Sequence, residues 1–205
     1  MKLFYAPGAC SIGIHAILEE IGTPYEAVKL DIRGGDHLKS PMIDMNPKAK
    51  VPALLRDDGS LVTEYQTIAR YLAHANPGAH LLPADPEAAL RADEAMDFCV
   101  ATIHMQGFSR LFRPANFTPT EADQDKIKAR GREIVEKGFA VMAQALDGKD
   151  WVAGPYSVAD SALFYVEYWG AKRLGMTLPP ACAAHLDRML ARPAVQRMLA
   201  QEGLA

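Results

Sequence analysis

A chain of 205 residues, 49% hydrophobic and 23% charged, is long enough for one large domain or two small ones without disulfide or metal staples. Its net charge of −3 and lack of a basic patch argue against a nucleic-acid partner, and no apolar stretch is long enough to span a bilayer. Three cysteines, Cys10, Cys99 and Cys182, are odd in number and widely spaced, which argues against a disulfide framework and a Cys-x-x-Cys zinc or dithiol motif and fits a reducing cytoplasm.

Pro7-Gly8 interrupts the apolar start Met1-Lys2-Leu3-Phe4-Tyr5 before a signal-peptide core can form, so the mature chain is expected to begin near Met1. Lys2 to Tyr5 reads as a strand, and Ile14, Ile17, Leu18 and Ile21 as the stripe of a helix that Gly22 ends. Tyr25 to Leu30 reads as a second strand. Ala53 to Leu55 and Leu61 to Val62 flank the turn signal Asp57-Asp58-Gly59-Ser60 and predict an antiparallel hairpin, and a third helix follows from Glu64 with Ile68, Tyr71 and Leu72 inward. A strand-helix-strand start implies a parallel pair, so the expected sheet is mixed and four-stranded: an α+β, thioredoxin-like βαβ-ββα unit over residues 1–76.

Asn76-Pro77-Gly78 through Pro83-Ala84-Asp85-Pro86 punctuates the chain and predicts a linker over 77–86, with an all-α domain over 87–205. Long helices are expected near 87–110 and 119–146, the second opened by the capping box Thr118-Pro119-Thr120-Glu121. Within it Ile127, Gly131, Ile134, Gly138, Val141 and Ala145 recur in steps of four and three. Two glycines inside a helix cost roughly 1 kcal/mol each against alanine, so a close helix approach is expected there. Ser157-Val158-Ala159-Asp160 is a second capping box, opening an apolar helix through Leu163, Phe164, Val166 and Tyr168. His15, His74, His80 and His185 lack ligand spacing and read as surface or capping residues; Met105, Met142, Met176, Met189 and Met198 read as core.

Three features carry chemistry. Cys10-Ser11 stands where a strand gives way to a helix, and the positive end of the backbone dipole favours a thiolate there, although a cysteine is also a small hydrophobe that cores bury. Val51-Pro52 precedes an apolar strand; it is either an edge-strand proline or a cis turn that exposes the Val51 backbone for antiparallel pairing with an extended peptide. Thr63-Glu64-Tyr65-Gln66 opens the third helix, so its first N–H groups suit a carboxylate while Glu64 suits an ammonium; ordinary capping by Thr63 is the plainer alternative.

Together, the Cys10-Ser11 corner, the run Lys50-Val51-Pro52-Ala53-Leu54 and the Glu64-Tyr65 corner resemble the glutathione-binding domain of cytosolic glutathione transferases, most of all the bacterial beta class. Asn46-Pro47-Lys48, Asp57-Asp58-Gly59, Leu81-Leu82, Phe108-Ser109-x-Leu111-Phe112-Arg113-Pro114 and Arg192-Pro193-x-Val195-Gln196 extend the resemblance over nearly the whole chain. It implies a homodimeric, cytoplasmic detoxification enzyme with glutathione as cosubstrate, no metal, and no nucleic-acid or membrane partner. Cys10 would lie beside the glutathione sulfur and Ser11 would donate to it. Val51 would pair with the cysteinyl backbone, Pro52 being the cis proline. Glu64 and the helix start at Tyr65 would hold the γ-glutamyl end, and His37 and Lys50 the glycyl carboxylate. Asp160 would nucleate the helical domain.

The chain departs from the family pattern in three places. Tyr65 replaces a residue that is usually serine or small, so only its backbone N–H carries over. The basic residue after the second strand has several alignments within Arg33-Gly34-Gly35-Asp36-His37-Leu38-Lys39. The histidine that beta-class members bring from the first long helix of the second domain corresponds to His104, but its spacing to Phe108 is one residue longer than usual, which sets either His104 or Met105 toward the site. The expected activity is glutathione thiolate attack on a small hydrophobic electrophile, or thiol exchange through Cys10. A glutathione-dependent lyase, isomerase or peroxidase and a non-enzymatic glutathione carrier are the alternatives.

Overall fold

The computed structural model describes residues Met1–Ala205. Four strands, β1 (Lys2–Tyr5), β2 (Glu26–Lys29), β3 (Ala53–Leu55) and β4 (Leu61–Thr63), form one sheet in the order β2-β1-β3-β4. β1 pairs in parallel with β2 and antiparallel with β3, which pairs antiparallel with β4, so the sheet is mixed as the element order requires. Strand alternation divides its residues between two faces. Phe4 and Ala53, opposite each other, join Leu30 and Met42 in a core that Val28, Ile32 and Val51 complete, while Leu3 and its partner Leu54 turn to the other face.

Helix α1 (Ser11–Ile21) ends where expected: Gly22 takes a left-handed φ of 71° and returns its N–H to the Leu18 carbonyl. A short α2 (Met42–Met45), which the sequence reading did not anticipate, precedes the hairpin, and α3 (Tyr65–Ala75) follows it, burying Ile68 and Leu72. Tyr71, expected inward, is half-buried and takes the Arg56 guanidinium over its ring at 5.3 Å.

The remaining helices are α4 (Pro86–Phe98), α5 (Ser109–Phe112), α6 (Gln124–Ala145), α7 (Val158–Tyr168), α8 (Pro180–Ala191) and α9 (Pro193–Glu202). Asp85 caps α4 by accepting from Ala88 N–H at 2.8 Å, with Pro86 in the first turn. α4 and α5 are joined by a π-helical stretch, Cys99–Phe108, so the expected helix over 87–110 is continuous but changes its winding. α6 starts five residues later than its proposed capping box implies. The Thr118 hydroxyl closes a local turn by accepting from Thr120 N–H at 3.2 Å, and Glu121–Asp123 adopts a 3-10 turn before the α-helix begins. The Ser157 box forms as expected: Ser157 Oγ accepts from Ala159 N–H at 3.3 Å and Asp160 Oδ2 from Ser157 N–H at 2.7 Å.

The two helix-interior glycines of α6 mark the close approach they suggested. A Cβ on Gly138 would lie 2.5 Å from Ile103 Cγ1, and one on Gly131 would lie 2.9 Å from the Gly107 carbonyl oxygen and 2.8 Å from Arg110 Cβ. The buried stripe is Gly131, Val135, Gly138, Phe139 and Met142; Val141, which shares the four-and-three recurrence, is exposed.

The chain divides into two compact units, Met1–Leu82 with Arg188–Ala205, and Pro83–Asp187. The helical tail therefore belongs with the first unit rather than with a single domain over 87–205. α9 lies on α1 through charged clasps: Arg192 Nε donates to Glu20 Oε1 at 2.5 Å, and Arg197 to the Glu19 carboxylate at 2.7 Å and to the Glu19 carbonyl at 2.9 Å. No helix is long and apolar enough to cross a membrane.

Candidate active site

In the first unit, the turn between β1 and α1 is closed by Ala9 N–H to the Ala6 carbonyl at 3.0 Å, and Gly8 bends it with φ 68°. Cys10 is the residue immediately before α1, half-exposed, and its thiol donates to the Val51 carbonyl at 3.4 Å. Ser11 goes the other way. It is fully buried, its hydroxyl donating to the Ala6 carbonyl and accepting from the Ala6 N–H, both at 3.3 Å. The expected donor pair at the sulfur thus separates into a presented thiol and a hydroxyl that pins the turn carrying it, because that hydroxyl is the group in reach of the Ala6 backbone.

The Val51–Pro52 peptide bond is cis, the second of the two readings the sequence left open. The loop before it is shaped by Asn46, buried, whose Nδ2 donates to the Lys50 carbonyl at 2.9 Å, and by Ala49 with φ 52°. Lys50 is exposed; His37 is half-buried in a 3-10 turn (Asp36–Leu38), with a buried Nδ1 that has no hydrogen-bond partner.

Glu64 precedes α3 with φ 70° and ψ 129°, a conformation unfavourable for any residue with a Cβ. It makes no side-chain cap; its carboxylate accepts from Lys48 Nζ at 2.7 Å, and the same ammonium donates to Thr63 Oγ1 at 2.9 Å. Both partners are more than half exposed, so this ion pair contributes little to stability and yields readily to a competing charge. Lys48 was not singled out as a site residue, since fifteen residues separate it from Thr63 and no local pattern links them. Tyr65 is buried at the first turn of α3.

A second group of residues was not read as part of a site. His15, expected at the surface, is fully buried: Nδ1–H donates to Glu202 Oε1 at 2.8 Å, and Nε2 lies 2.8 Å from Gln201 Oε1. Glu202 Oε2 accepts the Gly8 N–H at 2.9 Å, so the last turn of α9 holds the backbone two residues before Cys10. Glu19 accepts from Tyr25 O–H, Gln201 and Arg197. Burial acts to raise its carboxyl, but these hydrogen bonds outweigh it and hold the group below the usual carboxylate range. Tyr25 is pushed up by burial and by Glu19.

In the second unit, the π-helical stretch turns His104 inward and leaves Met105 exposed, unlike Met142, Met176, Met189 and Met198, which are core. His104 Nδ1 lies 3.2 Å from the Tyr165 hydroxyl, and its ring stands edge-on to Trp169 at 4.7 Å. Phe108 and Phe112, stacked at 5.6 Å, extend this aromatic cluster; Trp169 meets Phe112 at 5.4 Å, and the Arg173 guanidinium lies over Phe112 at 5.2 Å.

Also in this unit, His185, read as a surface or capping residue, is fully buried. Its ring is clamped between Glu167 Oε2 at 2.7 Å and Asp160 Oδ1 at 3.3 Å, and Asp160 also accepts from Val152 N–H at 2.9 Å. Burial disfavours the charged ring, yet the two carboxylates outweigh it and raise His185 to about 9. Burial raises the Glu167 carboxyl and the Cys99 and Cys182 thiols.

A thiol at a helix start beside a cis-proline loop, on a βαβ-ββα sheet followed by a helical unit, defines a thiol-handling protein of the thioredoxin-like class. Comparison with known proteins narrows this. The family model described as "Glutathione S-transferase, N-terminal domain" matches residues 8–75. The glutathione S-transferase GstA of Escherichia coli O157:H7 is 37% identical over 213 aligned residues, covering all of both chains. A sphingomonad glutathione S-transferase complexed with glutathione matches with a TM-score of 0.86 at 35% identity, and the bacterial beta-class enzyme of Sphingomonas chungbukensis with 0.85 at 32%, each covering both chains fully. The chain belongs to the glutathione S-transferase family and is a glutathione transferase.

Proposed function

We propose that this chain binds glutathione on its first unit and transfers it to small hydrophobic electrophiles, with Cys10 beside the glutathione sulfur. The observation that carries the site assignment is the Cys10 thiol, half-exposed at the start of α1 and donating to the carbonyl of Val51 next to the cis Pro52. In this reading the Val51 backbone takes the cysteinyl amide, and Cys10 takes the sulfur as a hydrogen-bond donor. Glu64, bonded to Lys48 in a strained backbone conformation, accepts the γ-glutamyl ammonium, and the N-terminal turn of α3 receives the neighbouring carboxylate. Lys50 and His37 face the glycyl carboxylate. His104 and its aromatic neighbours form the acceptor side. Ser11 supports the turn and does not touch the sulfur.

The reaction follows from these roles. The glutathione thiol gives its proton to solvent water, the thiolate attacks the electrophilic carbon, a C–S bond forms and the leaving group departs with the bonding electrons. The presented thiol favours a second activity. Cys10 as thiolate attacks a glutathione mixed disulfide, forming one S–S bond as another breaks and expelling a thiolate.

Cys10→Ala separates the two. We expect it to hurt mixed-disulfide reduction far more than conjugation of aryl halides; equal losses would remove the special role of Cys10. Glu64→Ala should raise the KM for glutathione without lowering affinity for the acceptor, and unchanged KM would move the γ-glutamyl end elsewhere. We further infer a homodimer in the cytoplasm with a detoxifying role, supported by resemblance to the beta class. Light scattering after size exclusion tests the dimer.

A further inference from the structure

Lys48 sits on a turn that presents it within the first unit. Asn46-Pro47-Lys48-Ala49 closes through Ala49 N–H to the Asn46 carbonyl at 2.9 Å, with Pro47 at the second position, where its fixed φ is pre-set for a β-turn. The buried Asn46 side chain anchors this turn by donating to the Lys50 carbonyl at 2.9 Å. From there the Lys48 ammonium crosses to the end of β4 and the residue before α3, donating to Thr63 Oγ1 at 2.9 Å and to Glu64 Oε1 at 2.7 Å.

These bonds leave a defined remainder. An ammonium carries three hydrogens and a carboxylate two oxygens. Thr63 and Glu64 take two of the hydrogens, and the third goes to no group of the protein; Glu64 Oε2 in turn accepts from none. A positively charged donor and a negatively charged acceptor thus stand side by side, both more than half exposed and both with capacity left over. A ligand bearing a single charge meets one attractive neighbour and one repulsive one here. A ligand with a carboxylate and an ammonium on the same carbon meets two attractive ones, its ammonium on Glu64 Oε2 and its carboxylate on the third Lys48 hydrogen, and the Lys48–Glu64 bond need not break to admit it.

We propose that Lys48 is a specificity-determining residue of the glutathione site, forming with Glu64 a receptor for an α-amino-acid zwitterion. Lys48 attracts the carboxylate of the γ-glutamyl end and repels an ammonium that arrives without one. The thiols this selects are those whose amide-linked acyl group carries both charges on one carbon. The inference rests on the reading that the γ-glutamyl end lies at Glu64.

Isothermal titration calorimetry of the full-length protein tests it with three thiols: glutathione, glutaryl-cysteinylglycine, which lacks the ammonium, and 4-aminobutanoyl-cysteinylglycine, which lacks the carboxylate. The wild type should bind glutathione more tightly than either analogue. Lys48→Met keeps an aliphatic stem and removes the charge. It should weaken glutaryl-cysteinylglycine about fivefold and bind 4-aminobutanoyl-cysteinylglycine at least as tightly as the wild type does, because the repulsion is gone. The loss for glutathione should fall between the two. Lys48→Arg, which keeps the charge, should keep the wild-type order of the three ligands. Equal losses on all three in Lys48→Met would make Lys48 a support for the loop and overturn the proposal, as would no change on any of them. Glu64→Ala isolates the underlying reading: if it binds both glutathione and 4-aminobutanoyl-cysteinylglycine as tightly as the wild type, the γ-glutamyl end lies elsewhere and the assignment at Glu64 itself fails.

Discussion

Gly131→Ala tests the packing on which the second unit depends. Gly131 is buried in α6 against the end of the π-helical stretch, and an added Cβ would stand 2.9 Å from the Gly107 carbonyl oxygen, 2.8 Å from Arg110 Cβ and 3.3 Å from Leu111 Cγ. The first is backbone and the second is bonded to it, so no rotamer change relieves them; α6 must retreat from its neighbour by several tenths of an ångström. Helix propensity alone favours alanine by roughly 1 kcal/mol, and overpacking costs typically about 1–3 kcal/mol, with a backbone clash toward the upper end. The net expectation is a loss of about 1–2 kcal/mol, which for a chain of this size lowers the Tm by about 3–6 °C. Gly78→Ala is the control, since a Cβ there meets nothing within 4 Å and its φ is not left-handed. Urea denaturation followed by circular dichroism, alongside thermal melts, measures both. A Gly131→Ala protein as stable as wild type, or more so, would mean that the close approach is not a constraint and that propensity alone governs the position.

The remaining predictions concern buried charge. His185 is raised from 6.5 to about 9, so its contribution is fully present below pH 6.5 and disappears as pH rises through 9. The wild type should lose up to about 3 kcal/mol over that range relative to His185→Gln, and parallel pH profiles in urea melts would refute the clamp. Glu202→Ala removes the carboxylate that takes the His15 ring and the Gly8 N–H, with an expected cost of about 3 kcal/mol and a weakened glutathione site because the turn before Cys10 loosens; unchanged stability and KM would refute the tether. Ser157→Ala should cost about 1 kcal/mol as a lost cap. Asp160→Ala should cost several times more, since Asp160 also takes Val152 N–H and the His185 ring, and equal losses would reduce it to a simple cap.

How much could be read beforehand depended on how local the interaction was. Gly22, the Ser157–Asp160 box, the hairpin at Asp57-Asp58-Gly59-Ser60 and the two α6 glycines were readable, because capping, turn and close-packing chemistry sit within a few residues. Cys10, Val51-Pro52 and Glu64 were readable as separate features for the same reason. The start of α6 was misplaced because Thr118 chose a tighter local partner than the helix amide the box assumed. His15 and His185 were misjudged because their carboxylate partners come from helices far away in sequence; Glu202 is 187 residues from His15. Lys48 on Glu64 and the α9 clasp on α1 were hidden in the same way.

The sequence by itself determined the order of elements, the mixed sheet, the caps and the three chemical corners, since each follows from backbone preferences and spacing. Only the tertiary structure decided which polar groups those corners keep for a ligand. It spends Ser11 on the Ala6 backbone, ties Gly8 to Glu202, sets Lys48 on Glu64, and winds residues 99–108 as a π-helix so that His104 turns inward and Met105 out. A buried donor or acceptor must find a partner, and which partner lies within 3 Å is settled by packing across the fold and not by neighbours along the chain.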